Sequence, residues 1–406
     1  MTTASPELAA FRVEVRDWIK HNFPRSLVGR SGEILLATSG RNDMPEDVRL
    51  WVQRLGEQGW GAPTWPREYG GAGLGGAQLQ VLQDELIEAD AFNPVPYMTG
   101  MGVTMVGPTI LEYGTEAQKQ QHLPSIANGQ VRWCLGLSEP NAGSDLAGLT
   151  TRAELKGDNW VINGQKIWTS GADISQWCGA LVRTDSQVAK RDGISFLLLP
   201  MDQAGVRTRP IPLIAGASPF CETFFTDALA TKQDLLGPLN KGWTVVKRLL
   251  QHERASQTGA RTAGAASEER FQDMAKRCVG TDSAGRLDDA DLRMRVTQHL
   301  MDTQAHALTA ARIVAEAQGK IEVSAAASIL KNSATTVAQT RAELTLELLG
   351  HNGLGWEGED FSKDERAAVR NWLSGKAMSI YGGSYEVQNN IIAKNILGLP
   401  ETTQRG

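Results

Sequence analysis

Apolar residues are spaced differently in three successive parts of this chain. In the first part, Leu8, Phe11 and Val15 recur at helical spacing, and similar patterns return near residues 79–89 and 116–123. That spacing predicts a mainly helical segment over residues 1–130. A loop rich in glycine and proline, at residues 59–76, interrupts it.

From about residue 131 to 240 the apolar runs are short and end at turn residues, which predicts β-strands. Asn163-Gly164 separates two such runs, Trp160–Ile162 and Lys166–Trp168, and predicts a tight hairpin turn because both residue types tolerate positive φ. Further strands are predicted at 178–183, 194–201, 206–213 and 223–225.

Long helical patterns follow residue 242, which predicts helices long enough for a bundle. They are predicted at 243–276, 289–318, 323–349 and 363–379. Ser362 with Glu365 has the spacing of a capping box at a helix start. The order along the chain is therefore helical, then β, then helical.

Composition limits the classes of partner. The 406 residues carry a net charge of −5 with 41% hydrophobic residues, which gives no electrostatic argument for nucleic acid or an anionic membrane. No segment reads as a secretory signal, and the longest apolar runs are too short to span a bilayer. The four cysteines lack metal-site or redox-motif spacing, so we expect reduced thiols, a cytoplasmic location and no metal site.

The helix predicted to start at residue 243 carries one carboxylate on its apolar stripe. Glu253 lies four residues after Leu249 and eight after Val245, on the same face. A carboxylate in that position has its charged form disfavoured, which raises its pKa toward the value that a base for a carbon acid needs. Two alternatives stay open: Glu253 pairs with Arg248 or Arg254 in solvent, or the neighbouring His252 is the base.

Three further segments contain the groups that a flavin requires. They are residues 138–145 (SEPNAGSD), 162–171 (INGQKIWTSG) and 380–388 (IYGGSYEVQ). Trp168 offers an indole as a flat cover, and Ser170 a hydroxyl. Each feature alone is weak, because a tryptophan on a strand is usually part of the core. In this order and spacing, the segments resemble the signatures of the acyl-CoA dehydrogenase family over essentially the whole chain.

That resemblance implies an α+β multidomain fold. The implied domains are an N-terminal all-α domain (1–130), a middle β-barrel-like domain (131–240) and a C-terminal four-helix bundle (241–406). It also implies FAD as the cofactor. The residues that match flavin contacts are Leu135, Leu137, Ser138, Ser144, Trp168, Thr169 and Ser170 near the ring, and Glu347, Gly350, His351, Ser384 and Glu386 near the adenosine half and pyrophosphate.

The catalytic base departs from the commonest pattern of the family. Many members carry a glutamate where this chain has Gly382, which can supply only its backbone N–H as an oxyanion donor. One branch places the base on the first bundle helix, just before an arginine, and Glu253-Arg254 matches that position. Substrate contacts are implied for Ser144, Arg254, Tyr381 and Gly383. The family's arginine-containing Phe-Gly segment is missing near residue 280, so Arg270 or Arg277 would have to replace its contacts with FAD.

The resemblance implies dehydrogenation of an acyl-CoA to the trans-2-enoyl-CoA, with electrons passed to an electron-transferring flavoprotein. The alternatives are an acyl-CoA oxidase that uses O₂, a subunit of a two-chain enzyme, and another CoA-thioester reaction such as desulfination. We expect either a homotetramer or a hetero-oligomer with a related chain. The sequence does not define the length, branching or ring content of the acyl group.

Overall fold

The computed structural model describes residues 5–37, 44–216, 218–259, 269–318 and 328–400. The chain divides into two compact units. The first comprises Met1–Ile211 with Ser218–Ser267, and the second comprises Pro212–Ala217 with Glu268–Gly406. The predicted helix, strand, helix order is confirmed.

Helices fill the N-terminal part of the first unit, and they pack around buried tryptophans. Trp51 is fully buried and donates its indole N–H to the Phe92 carbonyl at 2.7 Å, which satisfies the polar atom of a core residue. These helices are α1 (Pro6–Asn22), α2 (Ser31–Ala37), α3 (Glu46–Glu57), α4 (Gly76–Glu88), α5 (Val95–Met98), α6 (Gly107–Tyr113) and α7 (Glu116–Ala127).

A mixed sheet follows, and its strand order is β1-β4-β2-β3-β7-β6, with β5 beside β4. Strand β1 runs parallel to β4, whereas β3 pairs antiparallel with both β2 and β7. The strands are β1 (Trp133–Gly136), β2 (Arg152–Lys156), β3 (Asn159–Ser170), β4 (Trp177–Arg183), β5 (Ile194–Pro200), β6 (Val206–Pro210) and β7 (Phe220–Thr231).

The hairpin predicted at Asn163-Gly164 is wrong. Strand β3 runs straight through this dipeptide, and the turn lies earlier, at Gly157-Asp158. Asn163 instead stabilises a bulge in β7, since its side chain exchanges hydrogen bonds with Asp227 at 2.9 and 3.0 Å. Gly164 is required because a Cβ there would lie 2.6 Å from the Thr151 Cα.

Helix α8 (Gly242–Gly259) is the last described element of the first unit along the chain. The second unit contains α9 (Phe271–Val279), α10 (Ala290–Gln318), α11 (Leu330–Leu349), α12 (Lys363–Gly375) and α13 (Tyr385–Ile391). The single helix predicted over 243–276 is wrong, because the backbone of Arg270 is extended, with ψ of 140°, and α9 begins after it. The capping box of α12 is confirmed, since Ser362 and Glu365 exchange bonds of 2.7 and 3.2 Å.

Candidate active site

A buried ion pair joins the two segments that are predicted to contact the flavin ring. Lys166 is fully buried on β3, and its Nζ donates to Glu139 Oε1 at 2.9 Å and to the Leu137 carbonyl at 3.1 Å. Glu139 also accepts from the backbone N–H groups of Thr150 and Thr151 and from the Thr150 hydroxyl, at 2.7 to 2.8 Å. These buried hydrogen bonds hold the segment Leu137–Glu139 against β3.

The charges of this pair are set by their surroundings. Burial by itself raises the pKa of Glu139, but Lys166 and the hydrogen bonds from Thr150 and Thr151 outweigh it and hold that pKa at about 2. Burial lowers the pKa of Lys166, and Glu139 opposes that change. Glu139 is thus held as a carboxylate within the interior of the first unit.

Trp168 faces solvent because β3 contains an irregularity. Alternation along β3 buries Trp160, Ile162 and Lys166, and would bury Trp168 as well. One extra residue of β3, relative to β7, lies between Lys166 and Thr169, and Trp168 there has a φ of 61°. Its indole is consequently 53% exposed, with its edge against Phe220 at 6.1 Å between ring centroids.

This arrangement fits a flat aromatic cofactor. A positive φ is strained for a bulky residue, and such strain marks functional sites. The next residue back, Ile167, donates its N–H to the Ser138 carbonyl at 2.9 Å, so the outward indole adjoins the Ser138 segment. Leu135, Leu137, Ser138 and Ser170 are half-buried, and Ser144 is exposed.

Thr169 differs from the other residues of this group. The same irregularity turns its side chain inward, where it is fully buried and its hydroxyl has no hydrogen-bond partner. A flavin contact from Thr169 would therefore be made by its backbone.

The apolar stripe of α8 is confirmed, but Glu253 is only half-buried at its end. Val245, Val246 and Leu249 are buried, whereas Lys247 and Gln251 are exposed. Glu253 thus lies at the edge of the buried stripe and not in its middle. Arg254 belongs to α8, but its side chain lies outside the described residues.

A carboxylate on α6 holds the turn of α8 that precedes Glu253. Glu112 accepts hydrogen bonds from Arg248 at 2.7 Å, and His252 Nε2 lies 3.3 Å from it. The hydrogen bonds from Arg248 lower the pKa of Glu112, and burial lowers the pKa of His252. Arg248 is therefore bound to Glu112, and the alternative base His252 lies beside the same carboxylate.

The loop Tyr381–Ser384 of the second unit depends on two glycines. Gly382 and Gly383 have φ of 65° and 90°, and a Cβ at Gly383 would lie 2.7 Å from the Gln388 amide nitrogen, which donates to the Gly382 carbonyl. Tyr381 is 51% exposed. Ser384 caps α13, and its hydroxyl lowers the pKa of the exposed Glu386.

Among the other predicted FAD contacts of the second unit, Glu347 is paired within the protein. Glu347 forms a bidentate pair with Arg295 at 2.5 and 2.7 Å. Gly350 has a φ of 56° at the end of α11, and the following His351 is exposed. The arginines considered as replacements for the missing motif are both paired, Arg270 with Asp273 and Arg277 with Glu269.

Other classes of site receive no support from the residues that the structure describes. They contain no cluster of histidine, cysteine and acidic residues that could hold a metal. Each of the four cysteines is a free thiol. A search of the same residues finds no helix with the length and apolar character needed to cross a membrane.

Sequence reasoning missed the roles of Lys166, Glu139 and Glu112. Lys166 and Glu139 both stand inside the recognised motifs, but a motif does not show that two of its charges meet in the interior. Glu112 had no local signal, since its partner Arg248 lies 136 residues away along the chain.

Comparisons with known proteins agree with this architecture. Models of the acyl-CoA dehydrogenase N-terminal, middle and C-terminal domains match residues 5–130, 134–228 and 240–397. Acyl-CoA dehydrogenase IpdE1 of Mycobacterium tuberculosis is 35% identical over 396 residues, which cover 97% of this chain and 98% of the relative. IpdE1 of Mycolicibacterium smegmatis is 36% identical over 406 residues, with the same coverage of both chains.

Solved structures give the same result. The Tcur3481-Tcur3483 steroid ACAD superposes with a TM-score of 0.76 at 28% identity, over 99% of this chain and 100% of that one. The ChsE4-ChsE5 complex from Mycobacterium tuberculosis superposes with a TM-score of 0.72 at 27% identity, with the same coverage. Domain matches along the chain, relatives of equal length and these superpositions lead to one conclusion: the chain belongs to the acyl-CoA dehydrogenase family.

Proposed function

We propose that this protein binds FAD and dehydrogenates an acyl-CoA thioester to the trans-2-enoyl-CoA. The observation that carries the proposal is the exposed, strained Trp168 beside the Ser138 segment, with both held by the buried pair of Lys166 and Glu139. When bound, the flavin supplies the acceptor for the hydride from the β-carbon. Trp168 covers one face of the ring, and Ser138 and Ser170 supply donors to its edges.

Glu253 is the base in this proposal. Its carboxylate takes the α-proton, and the electron pair left on carbon forms the new double bond as the hydride leaves the β-carbon. The half-buried position at the end of an apolar stripe favours this role, because it places the carboxylate at the edge of the core and not on the exposed face of α8. The Gly382 N–H would stabilise charge on the thioester oxygen, and Ser144, Arg254, Tyr381 and Gly383 would contact the substrate.

Glu253→Gln tests this assignment, with His252→Gln as the matched control. Loss of a positioned base lowers a rate by about 10²- to 10⁴-fold, so we expect Glu253→Gln to keep bound FAD and to lose flavin bleaching by that factor. His252→Gln should retain most of the rate. Normal bleaching by Glu253→Gln, or a comparable loss in His252→Gln, would show that Glu253 is not the base.

A second candidate is a subunit of a two-chain enzyme acting on a steroid-derived acyl-CoA. Two structural relatives carry names that describe a steroid ACAD or a complex of two different chains. FAD content per chain and the mass of the assembly, measured with and without co-expressed related chains, would separate a homotetramer from a hetero-oligomer. Bleaching across steroid-derived and straight-chain acyl-CoAs tests the substrate class.

The electron acceptor is an electron-transferring flavoprotein in this proposal. The alternative oxidase reaction would form hydrogen peroxide under air. Substrate-reduced protein that stays bleached in air, and regains its absorbance when an electron-transferring flavoprotein is added, would support the dehydrogenase. Rapid reoxidation with one peroxide per flavin would support the oxidase.

A further inference from the structure

A half-buried arginine joins the end of α5 to the start of the sheet. Arg132 stands immediately before β1, and its Nη1 donates to the carbonyls of Tyr97 and Met98, the last two residues of α5, at 2.9 and 3.1 Å. Its backbone N–H donates to Gln176 Oε1 at 2.8 Å. A guanidinium can satisfy the end carbonyls of a helix in this way because it carries several N–H groups at fixed angles. Arg132 is therefore held both at its backbone and at the tip of its side chain.

The backbones of two glycines pack against the same side chain. Gly171 follows Ser170 at the end of β3, and Gly100 follows α5 by two residues; both have a φ of 60°. A Cβ would lie 3.2 Å from Arg132 Nε at Gly171, and 3.4 Å from it at Gly100. Arg132 Nε is itself buried and has no hydrogen-bond partner among the residues that the structure describes. The guanidinium thus fills the space between the end of β3 and the segment after α5.

Ser170 depends on this contact because the sheet constrains it on one side only. Ser170 is the last residue of β3 to pair with β7, opposite Phe220, and it follows the irregularity described above. Gly171 begins the next turn, and its N–H bonds to the Pro219 carbonyl at 2.9 Å, which is again on the side of β7. The Arg132 guanidinium packs against Gly171 from the side of α5. It thereby limits how far this turn, and the serine before it, can move toward the N-terminal helices.

We propose that Arg132 is a positioning residue, which holds the Ser170 hydroxyl where that hydroxyl raises the reduction potential of bound FAD. The inference rests on the proposed function, in which Ser170 donates to the edge of the flavin ring, and it adds the residue that tunes this contact. Reduction adds negative charge to the ring, so a donor at its edge binds reduced flavin more tightly than oxidised flavin. The donor keeps this preference only while its surroundings hold it within about 0.5 Å of the required position.

The test is the midpoint potential of the bound flavin, measured by chemical reduction against a reference dye in the absence of any acyl-CoA. For Ser170→Ala, we expect the ratio of the affinities for reduced and oxidised FAD to fall about tenfold, which lowers the potential of a two-electron couple by about 30 mV. Arg132→Met should lower the potential by up to the same amount. In the double variant, Arg132→Met should add nothing to Ser170→Ala, because both changes act through one hydrogen bond.

Arg54→Met is the matched control, because Arg54 is also half-buried and also donates to a backbone carbonyl at the end of another helix, that of Asn22 in α1. It should leave the potential unchanged. Arg132→Lys keeps the charge but loses the planar fork, so it should lower the potential less than Arg132→Met does. If Arg132→Met gives no folded protein, Arg132→Lys replaces it in the double variant, and the same absence of an added effect is expected.

Three results would overturn the inference. They are an unchanged potential in the Arg132 variants, an equal fall in Arg54→Met, or a fall on replacing Arg132 that is as large in the Ser170→Ala background as in the wild type. The last result would show that the charge of Arg132 acts on the flavin directly and not through Ser170.

Because the potential is measured without substrate, it separates this inference from the proposed function. Bound FAD that shows the expected potentials but is bleached by no acyl-CoA would support the role of Arg132 and refute the dehydrogenation. Bleaching by an acyl-CoA, together with additive effects of the two substitutions on the potential, would support the dehydrogenation and refute the role of Arg132. A wild-type protein that takes up no FAD would refute both.

Discussion

Replacing Lys166 by methionine tests whether the buried pair positions the flavin segments. The change leaves the Glu139 carboxylate buried with three donors from Thr150 and Thr151 but without its cation. Removing one partner of a buried pair costs about 3 to 5 kcal/mol. The three remaining donors favour the lower figure, so we expect about 3 kcal/mol.

The assay is urea unfolding of the FAD-free protein, followed by titration with FAD. Lys190→Met is the control, because Lys190 and Asp145 pair at the same 2.9 Å but are mostly exposed. An exposed pair contributes only about 0 to 1 kcal/mol. If both variants lose the same free energy of unfolding, burial does not determine the strength of the Lys166 pair.

The double variant Lys166→Met with Glu139→Leu separates stability from positioning. Apolar residues of similar volume often replace a buried pair without loss of stability, so much of the unfolding free energy should return. FAD affinity should be low in both the single and the double variant, because both lose the bond from Lys166 to the Leu137 carbonyl. A double variant that regains both stability and FAD affinity would refute a positioning role.

Two further predictions concern acid stability and helix α8. The pKa of Glu139 is about 2 in the folded protein, below its ordinary value of 4.5. The ionised side chain therefore contributes fully to the free energy of unfolding above about pH 6, and this contribution is lost as pH falls from 4.5 toward 2. Urea midpoints between pH 7 and 3 should therefore fall more steeply for the wild type than for Glu139→Gln, and parallel curves would contradict this. Glu112→Gln should slow flavin bleaching by about two- to fivefold at unchanged FAD content, because it loosens the turn before Glu253. The control is Glu154→Gln, because Glu154 lies on an exposed strand with its partners Arg152 and Lys156 at 3.8 and 3.7 Å. Equal rates in both variants would contradict a role for Glu112.

The sequence was sufficient where local rules decide the outcome. Helical spacing located the buried stripe of Val245 and Leu249, and the capping box at Ser362 fixed the start of α12 to the residue. These features depend on residues within two or three turns of one another, so they are visible in a short window of sequence.

Distant partners decided the features that local sequence patterns did not show. Asn163-Gly164 reads as a hairpin turn, but Asn163 bonds to Asp227, which lies 64 residues away. Alternation along β3 cannot show that Thr169 turns inward. The extra residue at Trp168 exists only relative to the paired strand β7, and the sequence of β3 alone does not reveal it. The half-buried state of Glu253 likewise depends on where neighbouring elements end, and periodicity within one helix does not contain that information.

The irregularities at Asp227 and Trp168 cancel each other. Pairing of β3 with β7 shifts by one residue after Ile162 and returns to its first alignment at Thr169, so only the stretch Gly164–Lys166 is offset. Loss of one irregularity alone would displace every pair beyond it, while loss of both would leave the strand ends matched. A single-residue deletion at one irregularity would therefore shift the register of the rest of the strand, whereas paired deletions at both would preserve it.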